Sequence, residues 1–410
     1  MQPRFQGNAR GAGTYDAVVV GAGLAGLETA RRLGERGLRV LLVDQKAGVD
    51  RAVHTTGIFV RRTLEDFALP DDCLGPAVSR VVLYSPRGRP LALESPRAEF
   101  RVGRMGALYR KMLDGCLAAG VEWAPLTRFA GCLDDGDGSV VLLERGGRGA
   151  SVRARLLVGA DGAQSRVAGA LGLSANRRWI VGVEEVFRVA AAGPPCFHCW
   201  LDPELAPGYL AWVVTDGEEV HVGVGGHAER FRPADALRRF RARVDDRFGL
   251  RGREADERRG GRIPVGGVLP RIACVRGLLV GDAAGAVSPL TAGGLDPCIR
   301  LSALAARVAA DYLATGDAAA LAPYSGTAFR RRFASRLALR RVLSAVRSPL
   351  LAELGCAALG TRLLRPLAAH VFFGRGSFPD TGEERGYTRL ARPAAARAST
   401  SASTSKESAA

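Results

Sequence analysis

The sequence contains very little lysine. Only Lys46, Lys111 and Lys406 of its 58 basic residues are lysines, the other 55 are arginines, and the formal net charge is +17. Because this preference for arginine accompanies many alanines and glycines, it partly reflects codon bias and does not predict nucleic-acid binding. An arginine-rich surface would still attract anionic lipid surfaces or phosphorylated substrates.

The sequence also lacks long apolar runs, paired cysteines and a secretory signal. No apolar stretch reaches the length of a bilayer-spanning helix. The eight cysteines are dispersed, so we expect reduced thiols and a cytoplasmic location. Cys196 and Cys199 lie three residues apart in a predicted strand and so face opposite sides, which excludes a shared zinc or an easy disulfide. No metal site is predicted.

The segment from Thr14 to Asp44 predicts a strand, a glycine turn, a helix and a second strand. Gly21 permits the tight turn, Gly23 lets a pyrophosphate approach bare backbone, and Gly26 lets the helix pack close to the strand. Gly37 is predicted to end the helix as its C-cap. The predicted cofactor contacts of this unit are Gly21, Gly23, Leu24, Ala25, Gly26, Asp44 and Gln45.

Asp44 follows the second strand, where a carboxylate can accept hydrogen bonds from a ribose diol. A 2′-phosphate would be repelled there, so FAD or NAD fits this unit better than NADP. The alternative is a glycine-rich turn in an ordinary βαβ unit that binds no dinucleotide.

Two later motifs each combine a buried strand with a Gly-Asp pair. The first, residues 156–166, is LLVGADGAQSR and contains Asp161. The second, residues 277–295, is GLLVGDAAGAVSPLTAGGL and contains Asp282. Either motif alone could be a strand-end turn with a capping aspartate. Because both motifs follow the glycine turn of residues 21–26 in the same chain, a cofactor site is favoured over two unrelated strand-end turns.

Together with Arg104 at the head of a predicted helix, these three motifs resemble the flavoprotein superfamily of class A hydroxylases (p-hydroxybenzoate hydroxylase-like), halogenases and geranylgeranyl reductases. The Ser-Pro-Leu-Thr-x-Gly-Gly run in the last motif most resembles the geranylgeranyl reductase branch. The resemblance covers roughly residues 14–324 and implies FAD as the cofactor.

The resemblance also implies roles for individual residues. Asp282, preceded by Gly281, would bind the ribityl hydroxyls, and Gly293 and Gly294 would let backbone approach the flavin ring. The helix beginning near Gly293 and containing Leu295 would aim its N-terminus at N1 and C2=O of the ring. Arg104 would contact the phosphate or ribityl region, and Asp161 would brace the sheet and a loop beside the flavin.

A strand at residues 209–215 is the predicted substrate wall. Strand alternation puts Leu210, Trp212 and Val214 on one face, which suits an apolar substrate. Only Trp212 fits the aromatic patterns of geranylgeranyl reductases and halogenases at this place. An ordinary core strand is the alternative interpretation.

Two histidines are candidates for the substrate side. His54 lies in a loop that, by the resemblance, approaches flavin and substrate, and it is a candidate proton donor. An ordinary hydrogen-bonded surface histidine is the alternative. His198 shares a strand face with Cys196, and we predict that it lines the substrate pocket.

The fold class predicted is α/β, and 410 residues allow two or three domains. We expect a three-layer FAD-binding domain like that of glutathione reductase and the hydroxylases, with an inserted antiparallel-sheet substrate domain and a C-terminal helical region. The predicted boundaries are 14–60, 97–171 and 270–323 for the FAD-binding domain, 61–96 and 172–269 for the inserted sheet, 324–391 for the helical region, and 1–13 and 392–410 for a flexible leader and a disordered tail.

The helical region has two interpretations. Its interleaved arginines and leucines fit an amphipathic helix on an acidic membrane, giving peripheral contact with the inner membrane face. They also fit a helical cap over the substrate channel with a solvated basic face.

By the resemblance, the expected reaction is reduction of carbon–carbon double bonds in an isoprenoid or similar small apolar substrate, with hydride from reduced FAD. NAD(P)H or another electron donor would bind transiently, since one dinucleotide motif is present. The first alternative is a class A monooxygenase acting on an aromatic or polyketide substrate. The second is a non-redox role, as a prenyl-binding protein or a flavin-dependent isomerase or cyclase.

Overall fold

The computed structural model describes residues 13–191 and 193–374. The strands in this part of the chain are β1 (Tyr15–Val20), β2 (Val40–Val43), β3 (Ile58–Val60), β4 (Leu74–Val78), β5 (Arg80–Tyr84), β6 (Pro90–Glu94), β7 (Phe100–Gly103), β8 (Glu122–Ala124), β9 (Thr127–Asp134), β10 (Ser139–Arg145), β11 (Arg148–Gly159), β12 (Trp179–Phe187), β13 (Cys196–Trp200), β14 (Ala211–Thr215), β15 (Val220–Gly226), β16 (Glu257–Pro264), β17 (Ala273–Cys274) and β18 (Gly277–Leu279). The α-helices are α1 (Leu24–Gly34), α2 (Arg61–Asp66), α3 (Met105–Ala118), α4 (Arg166–Ala170), α5 (Pro233–Val244), α6 (Leu295–Thr315), α7 (Gly326–Arg332), α8 (Ala334–Ala345), α9 (Pro349–Leu359) and α10 (Arg365–Phe373).

An eight-stranded sheet forms the first half of the molecule. Its strand order is β17-β18-β11-β1-β2-β8, and β9 and β10 extend it through β11. β1 pairs in parallel with both β11 and β2, so Ala17 lies beside Leu156 on one side and Val40 on the other. Parallel strands covered on both faces are continuously apolar, as the VVV run of β1 is. Helices α1, α3 and α6 pack together against this sheet.

The helix of the opening βαβ unit ends as predicted. Gly37 takes a left-handed φ of 77° and donates its N–H to the carbonyl oxygen of Gly34 at 2.8 Å. The N–H of Leu38 donates to the carbonyl oxygen of Leu33 at 3.3 Å. These two bonds form a Schellman motif, which satisfies carbonyls that the end of a helix leaves without partners.

A seven-stranded sheet, in the order β16-β12-β15-β14-β13-β5-β6, forms the second half. All its neighbours are antiparallel except β13 and β5. Helix α5 covers one face, where a separate apolar core forms around Phe240 and Val222. A small sheet, β3-β7-β4, has one strand from the predicted inserted segment and two from the predicted FAD-binding segments.

The C-terminal region is helical as predicted, in the four segments α7 to α10. No helix in the described ranges is long and apolar enough to cross a membrane. Residues 1–12 of the predicted leader, residues 375–391 of the predicted helical region and the predicted tail at 392–410 lie outside the described residues.

Candidate active site

A cavity of about 860 Å³ joins the two halves of the molecule. One end is lined by the glycine turn after β1 and by the start of α6, and one wall comes from β12, β14 and β16. The other end is lined by helices α8, α9 and α10. The two sheets and the C-terminal helices therefore all contribute to a single site.

The three glycines of the turn have different surroundings. Gly21 has φ +104°, and a side chain there would collide with the backbone of Ala160. A side chain at Gly26 would collide with the carbonyl oxygen of Gly21. Gly23 lines the cavity, and a Cβ added there would meet nothing within 4 Å. The turn therefore presents bare backbone to open space where the motif predicts a pyrophosphate.

The predicted contacts beside this turn divide into two groups. Leu24 and Ala25, at the N-terminus of α1, line the cavity, where a helix offers free N–H groups to an anion. Asp44 and Gln45 do not line it. Asp44 instead accepts hydrogen bonds from the N–H groups of Ala22 at 2.7 Å and Lys46 at 2.8 Å. Asp44 thus fixes the turn, and its contact with a ribose stays a prediction.

Asp282 lies half-buried in the cavity wall, directly after Gly281. No donor among the residues described contacts its carboxylate, and burial raises the pKa of Asp282 to about 6. A desolvated carboxylate without a partner is costly unless a ligand supplies hydrogen bonds. Hydroxyl groups of a polyol such as the ribityl chain would supply them.

Helix α6 points its N-terminus into the same cavity. Gly294 is its N-cap residue, and Gly293, Gly294 and Leu295 all line the cavity. The free N–H groups at this end favour negative charge. The bare turn, the unpartnered Asp282 and this helix end are the parts that FAD requires for its pyrophosphate, its ribityl chain and its ring, so the residues present fit FAD.

Arg104 forms its hydrogen bonds away from the cavity, which differs from the cofactor contact predicted for it. Its Nη1 donates to Asp216 at 2.7 Å and Glu219 at 2.8 Å, and its Nη2 donates to Glu218 at 2.6 Å. All three carboxylates belong to the β14–β15 turn, and Arg104 is not a lining residue. Three charge-assisted bonds leave this guanidinium little capacity for a phosphate.

Asp161 is likewise outside the cavity lining and braces the chain after β11. Its carboxylate accepts hydrogen bonds from the Ser165 hydroxyl at 2.6 Å, from Arg166 N–H at 2.7 Å and from Val167 N–H at 3.1 Å. These bonds satisfy donors at the start of α4. They fit the bracing role, and the predicted cofactor contact of Asp161 stays a prediction.

Two of the four predicted substrate-pocket residues line the cavity. Leu210 and Trp212 do so, together with Tyr209. Val214 is on the same strand face but is buried in an apolar cluster with Trp212 and Val102 and does not line the cavity, so the predicted pocket contact of Val214 is wrong. β14 begins at Ala211, two residues later than predicted.

The prediction that His198 lines the substrate pocket is also wrong. His198 lies opposite Val213 in the sheet, whereas its neighbour Cys199 lies opposite Trp212. Side chains alternate along a strand, so His198 faces away from Trp212. It lines a second cavity with Cys196, where its Nδ1 lies 3.0 Å from the Tyr84 hydroxyl. Burial, with Arg247 and Arg80 nearby, lowers the pKa of His198 to about 4.

His54 lines the main cavity, together with Thr55 and Thr56 of the same loop. The loop was predicted to approach the flavin and the substrate. Its Nδ1 lies 2.9 Å from the carbonyl oxygen of Gly260 in β16, so that nitrogen carries the proton. This bond ties the loop after β2 to the seven-stranded sheet. The role of His54 as a proton donor stays a prediction.

A buried acid that the sequence analysis missed, Glu184 of β12, also lines the cavity. Its Oε2 accepts from Trp212 Nε1 at 2.8 Å, and its Oε1 lies 3.3 Å from His221 Nδ1. His221 Nε2 lies 3.2 Å from Glu219. Burial opposes protonation of His221, but its bonds to Glu184 and Glu219 outweigh burial and raise its pKa to about 9. The alternation of side chains along β12 could have identified Glu184 from the sequence, because it places this acid at a buried position.

Comparison with known proteins agrees with this site. The family model described as "FAD binding domain" matches residues 14–340. A geranylgeranyl bacteriochlorophyll reductase-like protein from Thermoplasma acidophilum has the same fold, with a TM-score of 0.77 and 20% identity over 89% of this chain and 98% of that one. A p-nitrophenol 4-monooxygenase from Pseudomonas putida has a TM-score of 0.65 and 20% identity, over 89% and 99%. The chain therefore belongs to the FAD-binding-domain family and is an FAD-dependent oxidoreductase with a mixed α/β fold, as predicted.

Its relatives place it within that family. The digeranylgeranylglycerophospholipid reductase 2 of Methanopyrus kandleri is 31% identical over 333 residues, which are 75% of this chain and 79% of the relative. The digeranylgeranylglycerophospholipid reductase of Methanosarcina acetivorans is 30% identical over 322 residues, 74% and 77% of the two chains. The chain is a member of the geranylgeranyl reductase branch, as the Ser-Pro-Leu-Thr-x-Gly-Gly run predicted.

Proposed function

We propose that this protein reduces carbon–carbon double bonds of an isoprenoid or similar apolar substrate. The observation that carries the proposal is the continuity of one cavity, from the glycine turn to an apolar end formed by α8, α9 and α10. The apolar residues of that end include Leu339, Val342, Leu343, Val346, Leu351, Leu359, Leu364, Leu367, Val371, Phe372 and Phe373. The names of the relatives, which are reductases of geranylgeranyl-bearing lipids, support the same chemistry.

FAD, when bound and reduced, supplies a hydride from N5 of its ring. Gly23, Leu24 and Ala25 would hold its pyrophosphate, and Asp282 would hold its ribityl chain. Gly293, Gly294 and Leu295 would hold its ring. In this proposal the segments 14–60, 97–171 and 270–323 form the cofactor domain, and the seven-stranded sheet with the C-terminal helices forms the substrate side.

The substrate chain would lie against Leu210 and Trp212. The hydrogen bond from Trp212 Nε1 to Glu184 fixes the plane of the indole, which gives the apolar wall a defined shape. Reduction of a double bond also requires a proton at the second carbon. His54, which lines the cavity, would deliver it through the ring nitrogen that is not bonded to Gly260. That nitrogen must first take up a proton from solvent, because the neutral ring carries its proton on the bonded nitrogen.

The electron donor, NAD(P)H or another reductant, would bind only transiently. One glycine turn of the dinucleotide type is present and FAD would occupy it. The donor would therefore reach the cavity from outside, before the substrate enters.

We also propose peripheral contact with an anionic membrane surface at the inner face of the membrane. Leu350, Leu354 and Leu363 are each more than half exposed on the C-terminal helices. Between Tyr324 and Gly374 there are nine arginines and one acid, Glu353, which is buried against Arg87 and Arg89. Apolar side chains beside an excess of cations are typical of interfacial helices.

The second candidate is a class A monooxygenase, because a p-nitrophenol 4-monooxygenase shares the fold. The test is to reduce the purified flavoprotein anaerobically, add a geranylgeranyl lipid or an aromatic compound, and follow flavin reoxidation. Reoxidation by the prenyl lipid with a product two hydrogens heavier supports the reductase. Reoxidation only after oxygen is admitted, with a product one oxygen heavier, supports the monooxygenase. If neither compound reoxidises the flavin, the result supports the non-redox role.

A further inference from the structure

Two arginines on one helix, Arg340 buried and Arg336 half-buried, have no carboxylate partner among the residues described. Arg336 and Arg340 stand four residues apart on α8, so they share one face of the helix. Arg340 is 5% exposed, and none of its three guanidinium nitrogens has a hydrogen-bond partner among the residues described. Its side chain lies over the Tyr209 ring, with Cζ 5.7 Å from the ring centroid.

Arg336 lines the main cavity, and its Nη1 donates to the Ser288 hydroxyl at 3.2 Å. Burial lowers the pKa of both arginines, yet a guanidinium keeps its proton in proteins at any ordinary pH. No described carboxylate forms an ion pair with either. The charge of Arg340 is thus held out of water beside the Tyr209 ring, and that of Arg336 partly so, with no described carboxylate to balance either. This arrangement is unfavourable unless an anion lies nearby.

The neighbouring polar groups are neutral and suit an oxyanion. The Thr291 hydroxyl lies 3.0 Å from that of Ser288, and the Tyr209 hydroxyl donates to the Thr291 carbonyl at 2.7 Å. His227, whose Nε2 lies 3.1 Å from the Ser344 hydroxyl, has a pKa lowered by burial and by Arg340, which favours its neutral form. The hydroxyls of Ser288 and Thr291 belong to the loop that leads to Gly293 and Gly294.

We propose that Arg336 and the hydroxyl of Thr291, which line the cavity, form an oxyanion-binding site in its wall. Arg340 and Ser288 are not lining residues and support this site, Arg340 through its charge and Ser288 through its hydrogen bonds to Arg336 and Thr291. The site takes the phosphate or carboxylate headgroup of the apolar substrate, or a free oxyanion such as phosphate. The first source rests on the proposed function, since the apolar end of the cavity would then hold the chain of the same amphiphile. A bidentate guanidinium is suited to both kinds of group.

The first experiment measures binding of inorganic phosphate to the holoprotein through the thermal midpoint, at fixed ionic strength. The variants are Arg336→Gln and Arg340→Gln, and the control is Arg341→Gln, which changes an exposed arginine on the same helix. Phosphate is expected to raise the midpoint of the unchanged protein and of the control, and not that of Arg340→Gln. Without phosphate, Arg340→Gln should be at least as stable as the unchanged protein, because it removes an unpaired buried charge.

The second experiment compares a prenyl phosphate with the prenyl alcohol of equal length, through the KM for flavin reoxidation. A headgroup site predicts a KM on the order of tenfold to a hundredfold lower for the phosphate. That preference should disappear in Arg336→Gln and Arg340→Gln and persist in the control.

The outcomes separate the sources. Loss of the preference in both variants assigns the site to the headgroup, with or without a response to free phosphate. A phosphate response without any preference assigns it to a free oxyanion. The proposal is overturned if neither effect exists, or if both variants keep every effect that the unchanged protein shows. Failure of the proposed function looks different, since phosphate would then bind while neither lipid reoxidised the flavin.

Discussion

The indole nitrogen of Trp212 donates a hydrogen bond of 2.8 Å to Oε2 of Glu184, across from β14 to β12. The hydroxyl of Thr56 donates to the same oxygen, and Arg259 lies 3.6 Å from the other one. The Arg259 guanidinium also donates to the carbonyl oxygen of Thr55 at 3.0 Å. One buried carboxylate therefore joins the substrate wall to the loop that carries His54.

Replacing Glu184 tests this connection. Glu184→Gln keeps the shape but removes one of the two carboxylates near each of His221 and Arg259, leaving Glu219 and Glu257, so we expect a loss of about 2 kcal/mol in the free energy of unfolding. We also expect a lower turnover, because the Trp212 plane and the Thr55–Thr56 loop lose a common anchor. The measurements are urea unfolding and flavin reoxidation. Glu94→Gln, an exposed strand glutamate of the same sheet, should change neither; an equal loss there would count against a special role for Glu184.

The raised pKa of His221 predicts a pH dependence of stability. The folded value is about 9, against about 6.5 in the unfolded chain. The unfolded state therefore binds fewer protons between these values, and stability falls as pH rises from about 6.5 to about 9. The loss should reach about 3 kcal/mol. Urea unfolding at pH 6 and pH 9.5 measures it, and His221→Gln should flatten the difference; identical profiles would contradict the assignment.

Gly23 tests the position of the pyrophosphate. Its backbone, with φ −83°, accepts any residue, and the space beyond its Cβ is open. Gly23→Val should therefore fold with an unchanged thermal midpoint in the absence of flavin and yet be purified with little visible flavin absorbance. Gly131→Val, in β9 and also unobstructed, is the control that should stay yellow. Retained flavin in Gly23→Val would mean that the pyrophosphate lies elsewhere.

Asp282 predicts opposite effects on stability and on cofactor affinity. Its pKa of about 6 in the folded protein exceeds the unfolded value of about 3.9, so its charge at pH 7 opposes folding without cofactor. Asp282→Asn should raise the stability of the flavin-free protein by about 2 kcal/mol at pH 7 and little at pH 3.5. It should also weaken FAD binding, measured by fluorescence titration. A flavin-free protein made less stable by the change would show that Asp282 has a structural partner.

Local constraints made much of the cofactor side predictable. The strand, turn and helix of residues 14–44 follow from glycine positions, because a positive φ at Gly21 and Gly37 and close approach at Gly26 depend on residues nearby in sequence. The start of α6 beside Gly294 is local in the same sense. The alternation of β13 and β14 was read correctly as well, with Cys196 and Cys199 on opposite faces.

The partners of charged side chains were decided by the tertiary structure alone. Arg104 faces the carboxylates of the β14–β15 turn, more than 100 residues away, and no local pattern in the sequence links them. Glu184 and His221 meet because β12 and β15 are antiparallel neighbours, and His198 leaves the substrate side because of the sheet register. The sequence determined where backbone must bend or come close, since those demands fall on single residues. Which charges meet was set by packing, since a charge can pair with any opposite charge that the fold brings within reach.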